Sequence, residues 1–421
     1  MTVTPFRTPR PSWWTNLDLG KTGGPLTHYR NAYVAISGEH SLAGAFAYDE
    51  MARMPMLLHE IGAPLSFQGY PIPLADEHMG QTQRWVQELG LNGMGYDNIC
   101  RAIYELCMEN KYHPVRDYLD ALAWDGEERL IIWLAKYLGV KQWAYPAEIG
   151  KRFLISMVAR IYDPGCKCDH MLVLEGEQGI LKSTALRILA DPWFSDTLPD
   201  ITTDPKDASV HLRGKWLIEI AEMHVFNKAE STHLKSFISR QEERFRPPFG
   251  RNEVIEPRQC VFAGTTNLSA YLKDETGGRR FWPVKCGEEH EIRIDELKAD
   301  RDQLFAEAVE CYRLSEPWHP DAKFEAEIIR PEQKSRYDSD ILEDVIHTYL
   351  EGKTPPVTLK QIAIGCLGYE DTSVVGGGGK PYTQFTLAEQ YRVKRALAAI
   401  GWEKIGRNKH ATQYGPVRGR V

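Results

Sequence analysis

Residues 176–184 read GEQGILKST, between the apolar runs MLVLE and ALRILA. Gly176, Lys182 and Ser183 stand where the phosphate-binding pattern G-x-x-x-x-G-K-[ST] wants them, and Leu181 stands where its second glycine belongs. A strand running into a glycine-containing loop and then a helix is the context that gives this motif a mechanism. Backbone N–H groups of the loop (Gly176, Gln178, Gly179) and of the helix start would face phosphate oxygens. Lys182 would bridge the β and γ oxygens, and Ser183, ahead of Thr184, would ligate Mg²⁺. A glycine at 181 would keep the backbone close to the phosphates without crowding, so leucine there bears on nucleotide affinity.

Hydrolysis needs carboxylates at the end of another core strand. The run GKWLIEIAEMH supplies Glu219 within the strand and Glu222 at its end; the end position favours Glu222 for the metal shell and for orienting water. QCVFAGTTN ends a third apolar run in Thr265, Thr266 and Asn267, and Asn267 could sense a γ-phosphate. TGGRRFWPV places Arg279 and Arg280 before a fourth run. One of them could reach the nucleotide of a neighbouring subunit and stabilise transition-state charge.

Between these elements lies LKSFISRQEERFRPPFGRNEVIEPRQ, which reads as a hairpin turning at GRN. Lys235, Arg244, Arg246 and Arg251 interleave with Phe249 there, a mixture of cations and rings suited to single-stranded nucleic acid. Its glutamates weaken that field. Two other features read as structural. Cys166, Cys168 and His170 form C-x-C-x-H, which lacks the usual spacing and further ligands of a metal site, and His113 before Pro114 reads as a helix start.

The elements that must position these residues follow from pattern. The 421 residues suffice for two or three domains. Residues 1–25, rich in Pro, Thr and Gly, are expected to be poorly ordered. Residues 1–140 read as mainly helical after a β start at RNAYVAISG, with Trp124 and Trp133 in the core. Residues 141–320 alternate strands and helices, which predicts an α/β core with a largely parallel sheet. A linker-like stretch, 315–331, contains Pro317, Pro320 and Pro331. Residues 321–421 carry helices, a glycine-rich break, and a helical reading from 386 to 408.

Net charge is -7, yet residues 380–421 hold nine basic residues against Glu389 and Glu403. That asymmetry suggests a local polyanion contact. No apolar run approaches the length of a membrane span, no secretory leader is evident, and eight cysteines do not make a disulfide framework. A reducing, cytoplasmic setting is expected, with no membrane partner.

The order of these pieces resembles the virulence-associated protein E family of phages, plasmids and genomic islands. The resemblance is carried by HPVRDYLDALAWDG (113–126), PGCKCDHMLVLEGEQG (164–179), LRGKWLIEIAEM (212–223), LKSFISRQEERFRPPFGR (234–251), CVFAGTTN (260–267), TGGRRFWPV (276–284) and EQKSRYDSD (332–340). It covers residues 100–345 and extends more loosely beyond. It implies an AAA+ P-loop ATPase of the superfamily 3 helicase type, using ATP and Mg²⁺. Lys182 and Ser183 then look like the Walker A pair, Glu222 or Glu219 like Walker B, Asn267 like sensor 1, and Arg279 or Arg280 like the arginine finger. The hairpin at 244–251 resembles the one that grips a DNA strand inside a hexameric ring.

The C-terminal segment resembles a winged helix whose second helix presents Arg392, Lys394 and Arg395 to DNA. The expectation is an ATP-dependent DNA helicase or replication-initiation ATPase of a mobile element. An ATP-switched DNA-binding initiator or regulator without unwinding is the alternative. Residues 1–140 carry no polymerase-type carboxylate cluster, so primer synthesis would need a separate primase.

Overall fold

Five short runs that are buried along nearly their whole length form one parallel sheet. In the computed structural model the described residues are 10–61, 69–221, 228–247, 252–267, 280–334, 341–351, 353, 356–370, 380–381, 385–386, 389–390, 393–394, 396–397, 400–407 and 411–416. They divide into two compact units, residues 1–269 with 276–333, and 270–275 with 334–421.

The first unit begins with α1 (Tyr29–Gly38), β1 (Phe46–Asp49), β2 (Met54–Leu57), β3 (Ile72–Pro73), α2 (Asp76–Glu88), α3 (Tyr96–Glu109) and β4 (Lys111–Tyr112). The strands make a sheet of order β3-β2-β1-β4. The segment expected to be a strand is α1: Ala32, Ala35 and Ile36 are buried, the i, i+3, i+4 spacing of one helix face. Trp13 and Leu17 lie in the same core, so residues 12–17 are packed rather than loose.

The helices α4 (Pro114–Asp120), α5 (Trp133–Leu138) and α6 (Ala144–Tyr162) lead to the parallel sheet. Trp133 is buried as expected, but Trp124 is 37% exposed, on the loop between α4 and α5, with its indole N–H donating to Glu127 O. Then come β5 (Met171–Glu175), α7 (Lys182–Ala190), β6 (Phe194–Ser195), α8 (Pro205–His211), β7 (Leu217–Ile220), α9 (Lys228–Ile238), β8 (Glu242–Phe245), β9 (Val254–Pro257), β10 (Val261–Thr266), β11 (Phe281–Lys285) and α10 (Ile294–Arg313). The sheet order is β11-β5-β10-β7-β6, all neighbours parallel. Such strands read as continuous apolar runs because both faces are covered. Trp216, just before β7, is fully buried against Phe305 of α10 and donates its indole N–H to Met157 O in α6.

β8 and β9 form a separate antiparallel pair. Its base is anchored by a buried ion pair, Arg258 Nε to Glu243 Oε1 at 2.6 Å, with Ser209 of α8 donating to Glu243 Oε2. Arg213 reaches Glu256 at 2.6 Å, and Arg53 donates to Pro257 O.

The linker-like stretch is folded: α11 (Ala322–Phe324) and α12 (Arg330–Lys334) occupy its end, and Ile329 is fully buried. The second unit contains α13 (Ile341–Leu350), β12 (Val357–Thr358), α14 (Leu359–Cys366), β13 (Tyr369–Glu370), β14 (Lys380–Pro381), β15 (Trp402–Arg407) and β16 (Thr412–Pro416). Thr358 and Gln361 form a capping box at the start of α14. β15 and β16 pair antiparallel and β12 joins them, so the expected helix gives way to a strand from Trp402 on. Residues 389–390, 393–394 and 396–397 are helical, with Val393 and Leu397 in this unit's core. Among the described residues no helix is long and apolar enough to cross a membrane.

Candidate nucleotide site

The loop of residues 176–181 leaves the C-terminal end of β5, beside the C-terminal ends of β10 and β7. Open parallel sheets bind their ligands at that edge. Gly176 has φ 143°, and a Cβ there would sit 2.7 Å from Ile180 Cδ1 and 3.1 Å from Cys286 O, so the tight turn requires glycine. Leu181 also has positive φ, 71° with ψ 23°, a left-handed conformation uncommon for leucine. It occupies the N-cap of α7 without capping it by a side chain, leaving the first-turn amides to face the cavity. Its side chain is 49% exposed, which is how the loop accommodates it.

Gln178, Gly179, Leu181, Lys182, Ser183, Thr184, Ala221, Thr265, Thr266 and Asn267 line one cavity of about 340 Å³. Lys182 Nζ donates to the carbonyls of Gly176 and Glu177, each at 2.7 Å, and to Asn267 Oδ1 at 3.2 Å. Burial holds its pKa below the ordinary lysine value, while Cys286 and Glu219 oppose the shift.

Ser183 Oγ donates to Glu219 Oε1 at 2.6 Å, and Thr265 Oγ1 donates to the same oxygen at 2.7 Å. Glu219 is 2% exposed, and its Oε2 is buried with no hydrogen-bond partner among the described residues. An unsatisfied buried carboxylate oxygen beside a serine hydroxyl is a donor set that suits a hard divalent cation. Thus Glu219, the second choice from sequence, is the acid joined to Ser183; Glu222 lies outside the described residues. The position of Glu219 inside a strand obscured this, because β7 is short and its residue 219 is already near the edge.

The other expected residues are distributed less uniformly. Arg280 Nε donates to Ser239 Oγ at 2.6 Å, whereas Arg279 lies outside the described residues. Arg244 on β8 and Arg246 just after it are exposed, and Arg244 meets Glu253 at 2.8 Å. Phe249 and Arg251 lie outside the described residues. Lys235 is 7% exposed, which does not suit a side chain meant to reach a phosphate in this conformation. In the second unit Lys394 is half-buried, and Arg392 and Arg395 lie outside the described residues. Ala221 lines the cavity without any side-chain chemistry that sequence could have marked.

A family model described as the virulence-associated protein E-like domain matches residues 119–338, just over half of the chain. Solved structures of the NrS-1 C-terminal region are also similar. An apo structure of residues 305–718 is 12% identical, with a TM-score of 0.45 over 88% of this chain and 95% of that one. Its A form is 14% identical, with a TM-score of 0.47 over 88% and 96%. A further A-form structure is 13% identical, with a TM-score of 0.42 over 85% and 84%. No curated protein matches.

Proposed function

We propose, from the premise that this chain belongs to the virulence-associated protein E-like family, that it is a P-loop ATPase of the AAA+ type that drives DNA unwinding or replication initiation for a mobile element. The observation that carries this reading is the convergence of Lys182, Ser183, Thr265 and Asn267 on one cavity at the C-terminal edge of a parallel sheet, with buried Glu219 behind them accepting from Ser183 and Thr265. Magnesium ATP would supply the transferable phosphoryl group and its neutralising charge. Ser183 and Glu219 are the residues to hold the ion, and Lys182 and the first-turn amides of α7 are the residues to hold the phosphates. Thr265 fixes the Glu219 carboxylate, and Asn267 ends β10 where it can follow the terminal phosphate. Lys182 must leave its loop carbonyls to do this, and its depressed pKa reflects a charge that gains from an anionic partner.

The remaining parts complete a motor of three regions, 1–140, 141–320 and 321–421. Arg244 on β8 and Arg246 just after it would grip a single strand inside a homo-hexameric ring, with Arg279 or Arg280 offered to the neighbouring subunit's nucleotide. A separate primase would supply primers. The second reading, an ATP-switched initiator that does not unwind, is favoured by the second unit, whose helix and β15–β16 pair suit a winged-helix contact with duplex DNA. A forked DNA substrate separates the two. Strand release dependent on ATP supports the motor; nucleotide-dependent duplex binding without release supports the switch and overturns the motor.

A further inference from the structure

At the end of β5 opposite the nucleotide cavity, Asp169, His170 and His319 bring their ligating atoms within 4.8 Å of one another. The C-x-C-x-H run showed no further ligand in the chain nearby. Folding supplies one, because His319, beyond α10, returns beside His170, and Asp169 adds a carboxylate.

His170 is 3% exposed, and its ring lies on Trp282 of β11 with centroids 3.8 Å apart and planes at 10°. Among the described residues its one polar partner is the Cys168 thiol, with Sγ 3.8 Å from Nε2. Buried imidazoles ordinarily meet a stronger partner. His319 approaches edge-on, its ring centroid 6.0 Å away.

The backbone around the cluster is already fixed. Trp318 Nε1 donates to Lys167 O at 2.8 Å, Arg152 donates to the carbonyls of Pro317 and His319, and Arg160 donates to Cys168 O. A metal site needs this kind of support to hold its ligands.

We propose that Asp169, His170 and His319 bind one zinc-class divalent cation, with the fourth position left to water. Two imidazoles and a carboxylate match zinc, whereas magnesium and calcium prefer all-oxygen sets. Bonds of about 2.0–2.3 Å in a tetrahedron put donors roughly 3.3–3.8 Å apart. The half-buried Asp169 and His319 must therefore close on the fixed His170 by up to about 1.5 Å. Asp169 supplies the negative charge that offsets Arg152 and Arg160 near the ring. The ion would tie the loop before β5 to the segment after α10, which makes the site structural.

The test uses the untagged full chain, stripped with a chelator and titrated with zinc against a chromophoric competitor. One zinc per chain is expected, and His319→Ala and Asp169→Asn should each weaken binding at least tenfold, roughly the effect of disturbing a ligand shell. Zinc should also raise the melting temperature of the wild type and not that of His319→Ala. If His319→Ala misfolds by circular dichroism, Asp169→Asn decides. Substoichiometric uptake at tens of micromolar zinc, or wild-type affinity in the folded variants, overturns the proposal.

Discussion

Ser183 Oγ and Glu219 Oε1 lie 2.6 Å apart, joining the first turn of α7 to β7. Thr265 occupies the same carboxylate oxygen from β10, and the other oxygen, Oε2, is buried with no hydrogen-bond partner among the described residues, the place proposed for the ion. Glu219→Gln keeps the shape and removes the charge. Turnover should fall roughly a hundredfold or more, the scale of losing a preorganised electrostatic group, while nucleotide without magnesium still binds. Steady-state hydrolysis and equilibrium binding of both Glu219→Gln and Glu222→Gln check this. Full turnover in Glu219→Gln, with loss confined to Glu222→Gln, would reverse the assignment.

Leu181 carries the backbone strain of the phosphate loop. Its left-handed conformation costs about 1–2 kcal/mol for an L-residue, and glycine returns about 0.5–1 kcal/mol of that in unfolded-chain entropy. Leu181→Gly should therefore change unfolding free energy by less than about 1 kcal/mol and tighten nucleotide binding by removing the side chain from the cavity rim. Leu181→Ile places a β-branched residue at φ 71° and should destabilise the loop and weaken binding. Chemical denaturation and nucleotide titration of the pair measure both effects; an unchanged dissociation constant in Leu181→Gly would mean that the side chain already lies clear of the ligand.

His113 makes stability depend on pH. It caps α4 by accepting the Arg116 N–H on Nδ1, and it is 2% exposed. Burial first, then the charge of Arg116, pushes its pKa down to about 4. The neutral form is thus favoured in the folded state, and its stabilisation is fully present above the unfolded value near 6.5. As pH falls from there through about 4 the contribution is lost, at up to about 1.4 kcal/mol per pH unit. His113→Asn keeps an N-cap acceptor and cannot titrate. Urea unfolding at several pH values between 7 and 4 should show a shallower acid decline for the variant; parallel curves would contradict the assignment.

Much of this site is legible in the sequence because its groups sit at the ends of continuous apolar runs. Lys182, Ser183 and Asn267 follow β5 and β10 at positions that chain order alone suggests, and the cavity joins them. The choice between Glu219 and Glu222 was less legible. It depends on where β7 stops relative to β10, a register that one strand cannot disclose. RNAYVAISG deceived because a five-residue apolar stretch satisfies both periods, and only packing against α3 selects the helical one. Trp402 marks the opposite error, since helical spacing before it carried the reading past the turn at Gly401, where φ is 79°. The His170–His319 approach was invisible because a sequence separation of that length conveys no proximity.

Lys182 and its neighbours are proposed to hydrolyse ATP for work on DNA, and the magnesium-dependent ATPase rate of the full chain, with and without single-stranded DNA, beside Lys182→Ala, measures this directly. The wild type should hydrolyse ATP, single-stranded DNA should raise the rate, and Lys182→Ala should abolish both, since the lysine is the group proposed to meet the β and γ oxygens. No rate in either protein, or equal rates in the two, would overturn the proposed function.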